Sequence, residues 1–594
     1  MNKQINLRID NINVTVPEGQ TVMQAADSVG IHIPRLCFHP KLSAMTACRV
    51  CVVEIAGRRN LPTACNTEVS EGMEVKTNSA VVRRARRDIV ELILDNHPRD
   101  CQICERNNNC ELQELAVVFN LDKLAYEGER KKYAIDDSSP SIKRNPEKCL
   151  LCGKCVRVCS EIQGVNALSY AHRGFRTTVT PAFGLNQQES VCINCGQCTL
   201  FCPTAALTER DVTEQVWANL QDPEKTAVVQ VAPAVRVAIG EGFGLEPGRD
   251  MTAETVTALR RLGFKVVFDT QFSADLTIME EAHELIQRIT KKGKLPMFTS
   301  CSPGWVKYCE HFHPEFLENI STCKSPQQMM GALIKTYYAK KTGLDPAKIY
   351  SVSVMPCTAK KFEAGRTEMN ASGYQDVDAV LTTRELVKMI KQAGIKFTEL
   401  KGSSFDEPLG ESTGAAPIFG VTGGVMEAAL RTAYESLTGT SLPNLDFTSV
   451  RGLAGIKEAG VEINGTQVKV AIVYGLANLH KLLTEIKEGK RSYHFVEVMT
   501  CPGGCIGGGG QPYPKGVTEP MDFAVYQKRA QGLYAIDANK QIRKSHENPQ
   551  IKKVYDEFLG HPGGETAHKL LHTHYHPRTP KGIASKVKDT VNIG

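Results

Sequence analysis

The chain has 594 residues, 42% apolar and 23% charged, with a formal net charge of +6. That length accommodates roughly three to five domains with sizeable cores, and so small a charge excess, with no dominating Lys/Arg block, excludes a nucleic-acid footprint. The chain opens on a polar strand pattern, without leader peptide or membrane-length apolar run, so its 21 Cys point to metal ligation in a cytoplasmic protein and not to disulfides.

Ile5–Ile9 and Ile12–Val16 alternate apolar and polar residues around Asp10-Asn11 and predict a hairpin. Pro17-Glu18-Gly19 turns the chain, and Thr21 caps a short helix closed by Gly30. A small β-rich sheet with one packed helix is the expected unit. Cys37, Cys48, Cys51 and Cys65 follow. Four thiolates could hold zinc. The long gap after Cys37 and the strand just after Cys51 better suit a loop around a planar two-iron cluster, which needs backbone N–H donors to its sulfides.

Arg83-Arg84-Ala85-Arg86-Arg87 leads into a helical run, Arg84 to Leu94, and reads as a solvated face. His97, Cys101, Cys104 and Cys110 come next, an acceptable zinc set on chemistry alone. Cys149, Cys152, Cys155 and Cys159, then Cys192, Cys195, Cys198 and Cys202 before Pro203, carry the bacterial two-cluster ferredoxin spacing, in which the fourth Cys of each run ligates the other cluster. Cys149, Cys152, Cys155 and Cys202 are therefore expected on one [4Fe–4S] cluster, and Cys192, Cys195, Cys198 and Cys159 on the other.

After Pro223 the pattern becomes α/β. Thr226–Ala232 reads as a buried strand, Thr252–Leu262 as a helix closed by Gly263, and Lys265–Phe268 as a strand, an alternation that favours a parallel sheet. Cys301, Cys357 and Cys501 each follow a short apolar strand pattern, and Cys505 sits in the glycine-rich loop after Cys501. Open α/β sheets bind ligands beyond strand C-termini, so these cysteines are expected to converge on one buried metal site.

Three stretches carry a resemblance: Thr299-Ser-Cys301-Ser-Pro-Gly-Trp305, Met355-Pro-Cys357-Thr-Ala-Lys360-Lys361 and Met499-Thr-Cys501-Pro-Gly-Gly-Cys505. They look like the three signatures of the [FeFe]-hydrogenases, in that family's order. The N-terminal cysteines resemble the [2Fe–2S] and His/Cys3 modules of the large complex I iron–sulfur subunit and of modular hydrogenases. The likeness is greatest to catalytic subunits of NAD(P)-linked, electron-bifurcating enzymes. It implies a multidomain α/β and α+β chain: a β-grasp [2Fe–2S] domain (1–79), a His/Cys3 [4Fe–4S] domain (80–138), a two-[4Fe–4S] ferredoxin domain (139–212), and an H-cluster domain with a small-subunit-like end (213–594), where Ser545-His-Glu-Asn-Pro fits the family.

The implied cofactors are one [2Fe–2S] cluster, three accessory [4Fe–4S] clusters and an H-cluster, a [4Fe–4S] cubane joined to a two-iron subcluster bearing CO, cyanide and azadithiolate. The resemblance gives Cys505 the bridging role and Cys357 and Cys501 cubane ligation. The family usually has two adjacent cysteines where this chain has Cys301-Ser302. Register puts Cys301 on the proton relay and Ser302 on the cubane. Thiolate softness favours Cys301 as the ligand. Both stand as candidates.

Glu281, Glu284 and Arg288 share one face of a helical pattern. A solvated face is the ordinary reading. The resemblance instead maps Cys301, Glu281, Ser321, Glu284 and Arg288 onto a proton relay. It also gives Lys360 a bond to cyanide and makes Pro233, Gln327, Met355, Phe419 and Met499 walls of the two-iron site. Ala234 stands where some relatives have serine. Gly420-Val-Thr-Gly423-Gly424 reads as tight packing, Cys309 and Cys323 as buried free thiols, and His572-Thr-His574-Tyr-His576 as a solvated tail.

The implied activity is reversible H2 oxidation. No Rossmann fingerprint is present, so the expected partners are flavin/NAD(P)-binding and [2Fe–2S] subunits, ferredoxin and H-cluster maturation proteins. An H2 sensor and an electron-transfer-only complex I-like subunit are the alternatives.

Overall fold

The computed structural model describes residues 3–578 except 124, 127, 441–444, 464, 465 and 515–518. The end of the last expected domain, beyond 578, lies outside the described residues. The first hairpin forms as expected: β1 (Gln4–Ile9) pairs antiparallel with β2 (Ile12–Pro17), and Asp10 and Asn11 take positive φ in the turn. With β3 (Glu54–Ile55) and β4 (Glu74–Lys76) they make a mixed sheet in the order β2-β1-β4-β3. Helix α1 (Val22–Ser28) starts at Thr21, which forms a reciprocal capping box with Gln24, and buries Val22, Met23, Ala25 and Ala26.

Helix α2 (Ala80–Asp95) begins before the expected run because the Ser79 hydroxyl accepts from Val82 N. Its arginine block is not all solvated. Arg86 is 5% exposed, and its guanidinium donates to Val52 O at 2.8 Å, tying α2 to the loop beyond Cys51. A long side chain folding back along its helix reaches a carbonyl that residue type cannot reveal. Helix α3 (Glu111–Val118) follows Cys110. In the next segment β5 (Ile142–Arg144) pairs with β8 (Leu207–Glu209), and β6 (Ser169–Ala171) with β7 (Thr178–Thr180), both antiparallel, around the eight-cysteine region.

The second half holds two four-stranded sheets. Its strands are β9 (Thr226–Val231), β10 (Val266–Asp269), β11 (Met297–Phe298), β12 (Ile349–Met355), β13 (Ala379–Thr382), β14 (Ile456–Ile463), β15 (Thr466–Tyr474) and β16 (Phe495–Met499). The first sheet, β10-β9-β12-β13, is parallel throughout; the second, β11-β16-β15-β14, is parallel apart from its edge pair β14–β15. Strands β12 and β16 are buried along their whole length, Ser351, Ser353 and Glu497 included, which is why they read as mostly apolar. The β14–β15 hairpin is not among the expected elements, although Asn464-Gly465 between alternating runs is a hairpin signal.

Around the sheets pack α4 (Thr252–Leu262), closed by Gly263 as expected, α5 (Thr270–Thr290), α6 (Pro303–Phe312), α7 (Gly424–Thr438), α8 (Phe523–Asn539) and α9 (Glu565–Leu571). Helix α9 sinks Ala567, Leu570 and Leu571 into the core beside Met329, Met330 and Leu333. That packing draws in the start of the histidine run. The His572 side chain is 5% exposed, and Thr573 N donates to Thr322 O. The expected solvated tail is corrected there. No helix of the described residues is long and apolar enough to cross a membrane.

Candidate active site and electron-transfer centres

Cys301, Cys357 and Cys501 lie just beyond the C-terminal ends of β11, β12 and β16. Together with Ser302 and Cys505 they line one cavity. Pro233, Gln327, Met355, Phe419, Met499, Lys360 and Ala234 line it too. Four thiols and the Ser302 hydroxyl exceed the four ligands of a single tetrahedral ion. Several thiols lining one apolar chamber fit a multi-iron group. Burial, and then the nearby Cys357, pushes the Cys505 thiol up to about 12, so that thiolate needs a cationic partner.

The glycine loop is clamped on both sides. Gly504 has φ +95, and a Cβ there would come within 2.7 Å of Thr422 N. A Cβ on Gly509 would collide with Cys195 O. Thr422 N donates to Gly503 O at 3.0 Å, so the 420–424 turn packs against the cysteine loop, as its reading as tight packing requires. Residue type alone did not mark Glu497. A carboxylate amid Phe495-Val-Glu-Val-Met is itself the signal. It is fully buried and accepts from Gly423 N and Met426 N, at 2.6 and 2.7 Å, at the N-terminus of α7.

Cys301 and Ser302 face different neighbours. The Ser302 hydroxyl lies 2.8 Å from Thr500 Oγ1 and accepts from Thr500 N at 3.3 Å, beside Cys501. The Cys301 thiol is pushed up by burial and then by the Glu281 carboxylate, with Lys360 opposing. Lys360 Nζ donates to Cys301 O at 3.1 Å and pairs with Glu363 at 2.9 Å. Glu363, a second residue not expected, also accepts from Gln327 Nε2 and Ser325 Oγ. It fixes two of the lining side chains.

Behind Cys301, α5 carries the acidic residues inward. Glu281 is 2% exposed. Burial first, and the Glu284 charge second, push its carboxyl up to about 8 against a hydrogen bond with Ser321. Ser321 Oγ donates to Glu284 Oε2 at 2.9 Å. Arg288 grips Glu284 Oε1 at 2.5 and 3.0 Å and also donates to the carbonyls of Glu318, Asn319 and Ile320. Ser321, its one hydroxyl proton given to Glu284, is left to accept from a protonated Glu281. With Glu281 protonated at neutral pH, a proton can pass across the serine.

The ferredoxin-type cysteines gather around two cavities. Cys149, Cys152, Cys155 and Cys202 line one, and Cys159, Cys192, Cys195 and Cys198 the other. The two loops repeat each other: Leu151 N reaches Cys149 Sγ and Asn194 N reaches Cys192 Sγ, both at 3.4 Å, with Leu151 and Asn194 at positive φ. Cys195 also lines the large cavity, and Thr358 Oγ1, next to Cys357, donates to Asn194 O at 2.7 Å. The two sites abut.

Nearer the N-terminus, Cys37 lies within hydrogen-bond reach of Cys48, and Cys51 of Cys65. Arg157 Nη2 donates to both Cys37 O (2.6 Å) and Cys152 O (3.2 Å), joining that site to the first ferredoxin-type cavity. His97 is buried with Nδ1 unpartnered, and burial followed by the Lys148 charge lowers it to about 4, so it is a neutral imidazole free to ligate. Lys148 Nζ donates to Cys104 Sγ at 3.4 Å; Cys110 is half-buried and Cys101 exposed. Cys309 and Cys323 are buried free thiols, as expected.

Family profiles divide the same chain. The iron only hydrogenase large subunit, C-terminal domain, matches residues 225–509, and the iron hydrogenase small subunit matches 523–578. A 2Fe-2S iron-sulfur cluster binding domain matches 2–80, the NADH-ubiquinone oxidoreductase-G iron-sulfur binding region 86–124, and a 4Fe-4S binding domain 187–208. The NADP-reducing hydrogenase subunit HndD of Solidesulfovibrio fructosivorans is 49% identical over 586 residues, 97% of this chain and 99% of that one. Iron hydrogenase 1 of Clostridium pasteurianum is 43% identical over 572 residues, 96% and 99% of the two chains. A solved single-residue variant of apo [FeFe]-hydrogenase HydA1 from Chlamydomonas reinhardtii aligns at TM-score 0.54 and 42% identity, over 62% of this chain and 99% of its own.

Proposed function

The chain belongs to the iron-only hydrogenase family and is an oxidoreductase acting on H2, and from that premise we propose that it is the hydrogen-activating subunit of a cytoplasmic, pyridine-nucleotide-linked assembly. The observation that carries this is the meeting of Cys301-Ser302, Cys357, Cys501 and Cys505 around one buried cavity that shares Cys195 with a ferredoxin-type site. When bound, an H-cluster supplies the two-electron chemistry H2 ⇌ 2 H+ + 2 e−. Cys357, Cys501 and Ser302 would hold its cubane, with Cys505 joining cubane to diiron. Lys360, oriented by Glu363, would donate to a cyanide, while Pro233, Gln327, Met355, Phe419 and Met499 exclude water.

The bond of Ser302 to Thr500, next to Cys501, and the charge of Glu281 felt at Cys301 support the register reading, in which Cys301 is the relay acid and Ser302 oxygen a ligand. Cys301→Ala is expected to keep the cubane while losing turnover about a hundredfold or more. Ser302→Ala should lose cubane signals in electron paramagnetic resonance, and Ser302→Cys should keep them. Loss of the cubane in Cys301→Ala would reverse the assignment.

Protons pass from Cys301 through Glu281, Ser321 and Glu284 to Arg288 and on toward the surface. Clusters held by the Cys192 and Cys149 sets would supply electron transfer out of the cavity, and the Cys149 set is linked through Arg157 to the Cys37, Cys48, Cys51 and Cys65 set and through Lys148 to the His97, Cys101, Cys104 and Cys110 set. The count of one [2Fe–2S] and three accessory [4Fe–4S] clusters, and the division at 79, 138 and 212, rest on those ligand sets. The 49% identity to an NADP-reducing hydrogenase subunit supports flavin/NAD(P) and [2Fe–2S] partner subunits, with ferredoxin as a second electron carrier.

The matured chain alone is expected to reduce viologen with H2, and to reduce NADP+ only when partner subunits are added. A chain with its full iron complement that leaves viologen oxidised under H2 would overturn the proposal.

A further inference from the structure

Glu284 has a second hydrogen-bonded neighbourhood that the proton path does not use. Thr322 Oγ1 lies 3.1 Å from Glu284 Oε2 and 2.7 Å from His572 Nδ1. His572 Nε2 lies 3.1 Å from Glu280 Oε2. Glu280 is fully buried, and it accepts from Tyr555 Oη at 2.5 Å and from Gly563 N at 2.8 Å. Among the described residues, His572 is its ionisable base at hydrogen-bond distance. The Glu280 carboxyl thus meets two donors and one imidazole nitrogen, and the imidazole is the neighbour whose chemistry lets it take up a proton. On its outer side His572 stacks on His568, ring centroids 4.8 Å apart at 12°. Cys323 Sγ, 3.8 Å from Glu284 Oε2, closes the inner side, and Arg288 holds the other carboxylate oxygen.

We propose that Thr322, His572 and Glu280 form a one-proton store beside Glu284, which takes up the first of the two protons that each H2 sends along the same single-file path. This rests on the reading of Glu281, Ser321 and Glu284 as that path. Loading breaks two O–H bonds, one on the Glu284 carboxyl and one on Thr322. It forms a new O–H bond on Thr322 and an N–H bond on His572 Nδ1. Glu284 ends as carboxylate, with Thr322 donating to it. His572, with protons on both nitrogens, ends paired to the Glu280 carboxylate. Unloading is the reverse, and no electron moves. The threonine hydroxyl is required because it accepts on one side and donates on the other, switching roles as the proton crosses. Glu284, released from its proton, is ready for the second.

The test is turnover of the matured enzyme in H2O and D2O. Thr322→Val keeps the shape of the side chain and removes the hydroxyl; Thr322→Ser keeps the hydroxyl. Thr322→Val is expected to lower kcat about fivefold with KM for H2 unchanged, well below the 10²–10⁴ of an obligate proton-transfer group because the path to Arg288 stays open. Its solvent isotope effect should rise, and Thr322→Ser should restore both. His572→Gln should match Thr322→Val, and the two together should cost no more than either. Infrared bands of the bound CO and cyanide should be unchanged throughout. Wild-type kcat and isotope effect in Thr322→Val would overturn the store. So would equal loss in Thr322→Ser. If Thr322→Val does not mature, His572→Gln decides alone, and wild-type behaviour there would overturn the store. Glu284→Gln separates this from the underlying reading: its loss of turnover beside an unaffected Thr322→Val removes only the store, whereas retained turnover in Glu284→Gln removes the path itself.

Discussion

Glu281→Gln is expected to lower hydrogen turnover by about 10²–10⁴-fold, the contribution of a positioned proton-transfer group, with the cavity ligands and their infrared bands unchanged. The amide keeps the bonds that hold residue 281 against Ser321 but cannot release a proton. Burial and the Glu284 charge hold the Glu281 carboxyl at about 8, so at neutral pH it stands loaded as a donor. In the native enzyme, H2 evolution should therefore fall and H2 oxidation rise as pH increases through about 8. The same shift bears on stability. The unfolded chain ionises Glu281 in the ordinary carboxyl range while the folded chain keeps the proton, so the fold loses stability as pH rises from that range through about 8. Thermal unfolding against pH should be flatter in that window for Glu281→Gln. Full turnover in this variant would mean that protons reach the cavity by another route.

Cys505→Ala is expected to abolish hydrogen turnover while leaving the accessory-cluster signals in place. Of the cavity thiols, Cys505 is the one proposed to join the two parts of the cofactor. Removing a single sulfur from the glycine loop should cost about 1 kcal/mol of stability, a typical value for one substitution, because the backbone contacts to Thr422 and Cys195 remain. Viologen reduction by H2 and paramagnetic resonance on the same sample separate the two effects. Retained turnover would contradict the bridging role.

The cysteine centres were legible because thiolate ligation fixes residue type and spacing within short loops. The crossed partition of eight cysteines between two cavities could be read from two repeated runs. The strand ends bearing Cys357 and Cys501 were legible because strands buried on both faces leave mostly apolar runs. Arg86 was not, because its partner carbonyl on Val52 depends on how α2 lies against the first sheet. Nor was the setting of His572. Its contact with Thr322 spans 250 residues and exists because α9 packs into the core. Ser302 lies between. Its departure from the family pattern is visible in the sequence, but its contact with Thr500 emerges only when β11 and β16 lie side by side.

The infrared spectrum of the matured chain, set beside that of Cys505→Ala prepared the same way, tests the central claim most directly. The cavity is expected to give bands of iron-bound CO and cyanide in the native chain, and none in the variant. A native chain that holds its accessory clusters and activates H2 without such bands, or a variant that keeps them, would contradict the account.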